Sequence, residues 1–327
     1  MSGVSERIIG LGGVDLLTFG EVLVSLRSTG PLHLGGPLTM HMVGAESNVA
    51  VGLSRLGHRA ALAGRVSDDE LGEFVLRELR AEGVGTDGVR RDPDRPAGLM
   101  FLERRTADLT RVVYRRAGSA GSALDVDDLR GPLAAAPRLV HLTGITPALS
   151  DSARAAVTWA AREAASAGTT VSLDVNYRAR LWSREAARAA LTPLAGYASV
   201  VVASADELDL VAEPGADEGT AVAGLLRRGV HTVLVKLGAD GARAHTRDGV
   251  VHAPAVPVTA VDTVGAGDAF TAGYLSGHLD GLDLADRLQR AVALGAFAVA
   301  AHGDWEGLPR RDELSLITGS VAGTTLR

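Results

Sequence analysis

Between residues 59 and 236 the chain alternates short β-branched apolar runs with longer Ala-, Arg- and Glu-rich stretches, and no other feature constrains its fold as much. Residues 59–66, 139–142, 170–175, 199–203 and 232–236 are apolar runs of strand length, continuous enough to be buried on both faces. Between them, 150–167 and 183–195 read as helices, as does 46–56 earlier in the chain. Alternating β and α segments predict an α/β fold of three layers, a mainly parallel sheet with helices on both sides. Residues 14–26 read as β-rich sequence opening that sheet. The rhythm breaks at 31–43 and 97–116, where strand-like pieces follow one another without a helix. Such pieces suit a small β lid over a ligand, or two plain surface hairpins. No repeat or low-complexity linker divides the chain, so one domain over 11–320 is expected.

Composition narrows the partners. The net charge of −6 and the pI near 5.9 offer no basic face for a nucleic-acid backbone. The longest apolar run, 291–301, is too short to span a bilayer, and the first thirteen residues lack the basic start and apolar run of a secretory signal. The sequence has no cysteine, which fits a reducing cytoplasm and removes thiolate chemistry. Gly10, Gly12 and Gly13 precede the first strand instead of following it, so they read as a leader and not a dinucleotide loop. The histidines are scattered, without a transition-metal spacing.

The stretch 261–270, Val-Asp-Thr-Val-Gly-Ala-Gly-Asp-Ala-Phe, is where chemistry concentrates. Gly265 and Gly267 let backbone N–H groups converge, and a helix expected over 269–278 adds unpaired donors and a positive dipole end. That arrangement holds a migrating phosphoryl group around Gly265, Ala266 and Gly267. A carboxylate beside it would repel phosphate if it were idle, so Asp268 reads as the base for an attacking hydroxyl; the plainer alternative is a helix-capping Asp. Lys236 is the sole lysine in a chain rich in arginine, at the end of a strand and ahead of Gly238 and Gly241. A compact ammonium there suits phosphate. Arg178 follows the 170–175 strand at the carboxyl edge where open sheets bind ligands, and its planar fork suits a carboxylate.

The 261–270 string resembles the second signature of the ribokinase-like (phosphofructokinase-B) carbohydrate kinases. The resemblance runs from Thr18-Phe19-Gly20-Glu21 to Gly307-Leu308-Pro309. Within that family it is closest to the kinases of the sugar acid 2-keto-3-deoxygluconate, through Gly44-Ala45-Glu46-Ser47-Asn48-Val49-Ala50, 118–124, 141–150, Asp174-Val175-Asn176-Tyr177-Arg178 and 303–307.

The resemblance implies transfer from ATP, with Mg²⁺ and room for a monovalent cation, to the sugar's primary hydroxyl. Gly265, Ala266 and Gly267 would form the anion hole and Asp268 the base. Lys236, Gly238, Gly241, Ser204, Asn176, Arg178 and Val292 would lie along the nucleotide. Gly44, Met100, Tyr114, Arg116, Arg178, Asp268 and Asp304 would contact the sugar. Glu207, in Ser204-x-x-Glu207, would organise water around Mg²⁺, although the same residues also fit a capping box. The lid is a candidate face for pairing two copies. Three departures bear on specificity: Val43 stands before Gly44 where a glycine is usual, Met100 where a tyrosine is, and Val292 where an asparagine can reach the nucleotide. Kinases of neutral sugars, fructokinase or ribokinase in type, are the nearest alternative, and a sensor that binds without turnover is a further one.

Overall fold

The computed structural model describes residues 13–106 and 109–319. Gly10, Gly12 and residues 107–108 of the second lid segment lie outside them. In chain order the strands are β1 (Leu16–Phe19), β2 (Leu23–Ser28), β3 (Leu38–Val43), β4 (Ala60–Ser67), β5 (Gly85–Asp92), β6 (Leu99–Arg104), β7 (Thr110–Arg115), β8 (Leu139–Thr143), β9 (Thr170–Asp174), β10 (Val200–Ser204), β11 (Thr232–Lys236), β12 (Ala242–Thr246) and β13 (Gly249–Ala253). The longer helices are α1 (Ala45–Arg55), α2 (Glu70–Ala81), α3 (Val126–Ala134), α4 (Asp151–Ser166), α5 (Arg184–Ala195), α6 (Glu218–Arg227), α7 (Ala266–Leu279) and α8 (Leu284–Val299).

Nine strands pair in the order β13-β12-β11-β10-β9-β8-β1-β4-β5, parallel from β11 through β5, with β12 and β13 antiparallel at one edge. Strand alternation divides the apolar residues between two helix layers. Along β10, Val200 and Val202 join the core under α1, α2, α7 and α8, while Val201 and Ala203 join the core under α4, α5 and α6. Each such buried valine contributes roughly 1.5 kcal/mol or more, so a one-residue slip of a central strand is strongly disfavoured.

A second sheet, ordered β3-β2-β6-β7, stands apart from the first. Its β2 and β6 run parallel and its outer pairs antiparallel. The β-rich stretch 14–26 therefore splits: β1 ends at Phe19 in the large sheet, and the chain crosses at Gly20-Glu21-Val22 to give β2 to the small one. Leu23, Val43 and Met100 form the small sheet's own apolar cluster.

Helix starts carry the next piece of information. Asp69, Asp125, Ser150, Ser183, Asp217 and Asp283 cap α2, α3, α4, α5, α6 and α8 with side-chain acceptors. The helices α1 and α7 instead begin after glycines, Gly44 and Gly265, with no side-chain cap. Their first-turn N–H groups are left for something else.

Candidate active site

Both uncapped helices open onto a cavity of about 400 Å³ between the large sheet's carboxyl edge and the small sheet. Gly44, Met100, Tyr114, Arg116, Arg178, Gly265, Asp268 and Asp304 all line it, together with Glu21, Glu46, Asn48 and Arg180.

α7 starts at Ala266, three residues earlier than expected, so Ala266, Gly267 and Asp268 are the helix's first turn and not a preceding loop. Gly265 adopts φ +76, and a Cβ there would lie 2.0 Å from the Asp304 carbonyl oxygen. Only glycine fits. Asp268, 8% exposed, accepts from Asn48 Nδ2 at 2.8 Å and from Asn176 Nδ2 at 3.2 Å. Asn176 reaches it from a left-handed backbone, φ +40. Burial pushes the Asp268 carboxyl up to about 6; the Asn48 bond opposes this, the Asp174 carboxylate adds to it, and Arg178 and Lys236 oppose it. At about 6 the carboxyl is mostly ionised at neutral pH yet more basic than an ordinary aspartate. The carbonyl oxygens of both asparagines are buried without partners, so each amide is oriented by the carboxylate alone.

Lys236 is ion-paired within the chain. Its ammonium donates to both Asp174 oxygens, at 2.9 and 3.1 Å, and Thr271 donates to Asp174 Oδ2 at 3.1 Å. Burial works against the ammonium, but the Asp174 and Glu207 carboxylates outweigh it and hold its pKa above the ordinary lysine value. It sits beneath the first turn of α7, because a Cβ on Gly267 would be 3.6 Å from Nζ.

The other expected residues make bonds of their own within the chain. Asn176 donates its side-chain amide to Asp268. Ser204 Oγ donates to Asp206 at 2.7 Å, closing its own turn. Both Glu207 oxygens are engaged, accepting from the Tyr177 amide at 2.7 Å and the Ser204 amide at 2.9 Å. Only the Glu207 half of a capping box forms, since Ser204 Oγ turns to Asp206 instead, and Glu207 braces the β9 and β10 ends. Among the described residues no three His, Asp or Glu converge as a metal cage, so Mg²⁺ fits this donor set only as a companion of phosphate and water. Gly241, at φ +89, is required by packing, since a Cβ would meet the Ala253 carbonyl at 2.1 Å; Gly238, at φ +59, faces open space. Val292 packs in the core with Ala242, Ala244 and Ala253.

On the sugar side, Arg116 is committed to Glu21, with Nε and Nη2 at 2.7 and 2.6 Å from one oxygen. Ser119 also bonds Glu21. Burial raises the Glu21 pKa against those donors. Among the described residues Arg178 is the less committed cation, bonding its neighbour's carbonyl, and Arg180 reaches the Val112 carbonyl of β7 at 2.7 Å. Glu46 is fixed by Thr143 and Thr146, each at 2.6 Å. Sequence reasoning missed Asn48, whose signal was an amide set in an apolar helix stripe, and Asp174, whose partner lies on a different strand.

A sequence model described as pfkB family carbohydrate kinase matches residues 15–311. The chain belongs to this family. The pfkB protein is therefore a sugar kinase of ribokinase-like fold. It is 37% identical over 308 residues to a 2-dehydro-3-deoxygluconokinase of Bacillus subtilis, covering 92% of this chain and 94% of that one. It is 32% identical to a 5-dehydro-2-deoxygluconokinase of Clostridium perfringens, over 90% of each. An E. coli protein provisionally assigned as ribokinase II, in complex with ATP and Mg²⁺, superposes with a TM-score of 0.86 at 26% identity, covering 93% of this chain and 99% of that one. No helix among the described residues is long and apolar enough to cross a membrane.

Proposed function

We propose that this pfkB protein transfers the γ-phosphoryl group of ATP to the 6-hydroxyl of 2-keto-3-deoxygluconate, also called 2-dehydro-3-deoxygluconate. The observation that carries the reading is Asp268 held by two amides in the first turn of an uncapped helix, at the wall of a sugar-sized cavity. Asp268 would take the proton of the 6-hydroxyl as that oxygen bonds to phosphorus and ADP leaves with the bridging electron pair. The first-turn amides around Gly265, Ala266 and Gly267 would receive the charge on the transferring group, and Lys236, below them, would add a fixed positive field. Mg²⁺ bound to the nucleotide would screen its phosphates. Arg178 is the cation available for the sugar carboxylate, while Asp304 and the cavity carboxylates suit hydroxyls.

The name of the B. subtilis relative supports this substrate. The C. perfringens name favours a second reading, a 5-keto-2-deoxy acid of similar size. A steady-state panel of both acids, fructose and ribose at matched concentrations tests the choice. The proposal expects kcat/KM highest for 2-keto-3-deoxygluconate; a preference for a neutral sugar refutes it. ATP consumption abolished in Asp268→Asn checks that the measured activity belongs to this site.

A further inference from the structure

Strand β2 of the small sheet, which would serve as the lid, reaches the turn 303–307 through one side chain that the proposed reaction does not use. Arg27 Nη2 lies 3.1 Å from Asp304 Oδ1, and Nη1 lies 3.5 Å from Glu306 Oε1. No other hydrogen bond to the Asp304 side chain forms among the described residues, and the residue lines the cavity. The turn is tied to the lid twice more. Trp305 Nε1 donates to the Met42 carbonyl of β3 at 2.8 Å, and His41 Nδ1 of β3 lies 3.0 Å from Glu306 Oε1. The same turn backs the anion hole, because the Asp304 carbonyl fills the space a Gly265 side chain would need.

We infer that Arg27 is a positioning residue for the sugar: from the lid, it pins one oxygen of Asp304 so that the other is presented to a substrate hydroxyl. This rests on the cavity being the sugar site. An ionised Asp304 accepts a charge-assisted hydrogen bond on each oxygen, whereas a protonated one makes only a weaker neutral bond to a hydroxyl and loses its ion pair with Arg27. Its surroundings favour the proton. Burial pushes Asp304 up to about 7, and Glu306 from its own turn, Asp268 from α7 and Asp262 from the segment before α7 push the same way. Arg27 is the cation opposing them. His41 acts on Glu306 and not on Asp304. Removing the guanidinium therefore both frees the carboxyl to swing and biases it towards its neutral form.

The test is two-substrate kinetics of Arg27→Gln, Arg27→Lys, Asp304→Asn and the Arg27→Gln/Asp304→Asn double variant, between about pH 6 and 9. Near neutral pH, Arg27→Gln is expected to raise the sugar KM about tenfold while the ATP KM stays within about twofold. The sugar KM should then fall back as pH rises and Asp304 ionises. Arg27→Lys should restore the wild-type pH profile. The double variant should be no worse than Asp304→Asn alone. An unchanged sugar KM, a pH-independent rise, or equal rises for sugar and ATP would overturn the assignment. The effect is read on whichever sugar the wild-type enzyme phosphorylates fastest, so a wrong substrate identity shows separately in the wild-type panel.

Discussion

Replacing Asn48 by alanine removes the shortest contact to the proposed base while leaving a good helix former in α1. A hydrogen bond to a charged group is worth about 1.5–3 kcal/mol. Since about 1.4 kcal/mol corresponds to one pKa unit, losing it raises the Asp268 pKa by about one to two above its value of about 6. The sign follows from the charge: Asn48 donates to the carboxylate form, so its loss favours the protonated form and the acid limb of kcat/KM moves to higher pH. At pH 7 the ionised fraction falls from about nine-tenths to between about a half and a tenth, an activity loss of about two- to ninefold that is recovered near pH 9. Folding should be little affected, because the substitution also removes a buried carbonyl that has no partner. A coupled assay of ADP release across pH, at subsaturating sugar, reads the shift. If activity falls equally at every pH, Asn48 does not set the proton affinity of Asp268. If nothing changes, Asp268 is not the base.

Gly265→Ala must place a side chain at φ +76, costing about 1–2 kcal/mol, and against the Asp304 carbonyl 2.0 Å away. It should lower kcat about a hundredfold with the far-ultraviolet circular dichroism unchanged; kcat close to wild type would separate Gly265 from the phosphoryl site. Lys236→Met leaves the buried Asp174 carboxylate without its cation, and urea unfolding should show a loss of about 3–5 kcal/mol. Adding Asp174→Asn should recover much of that loss; no recovery would mean the pair is not what stabilises this corner.

How far the site was legible depended on how local each relation was. The glycine–glycine–aspartate run announced both a turn only glycine can make and a carboxylate in a helix's first turn, and these are properties of neighbouring residues. The partners of that carboxylate were not legible. Asn48 lies 220 residues away in sequence, on helix α1, which shares one core with α7 only once the chain has folded. Lys236 and Asp174 illustrate the same limit: strand order sets their strands two places apart, and the ion pair between them exists only in the folded sheet. Arg116 was expected only as a sugar contact, and its pairing with the buried Glu21 carboxylate, 95 residues away, could not be read from sequence.

What the sequence determined by itself was the periodicity of apolar residues and the glycines that backbone conformation demands, because both act over a few residues. Those features dictate a layered α/β chain with a helix that starts on glycine and has no side-chain cap. Which charges meet was decided only when the strands took their order. Coulombic and hydrogen-bond partners are chosen by distance in space, and burial then made each of those choices matter by several-fold more than it would in water.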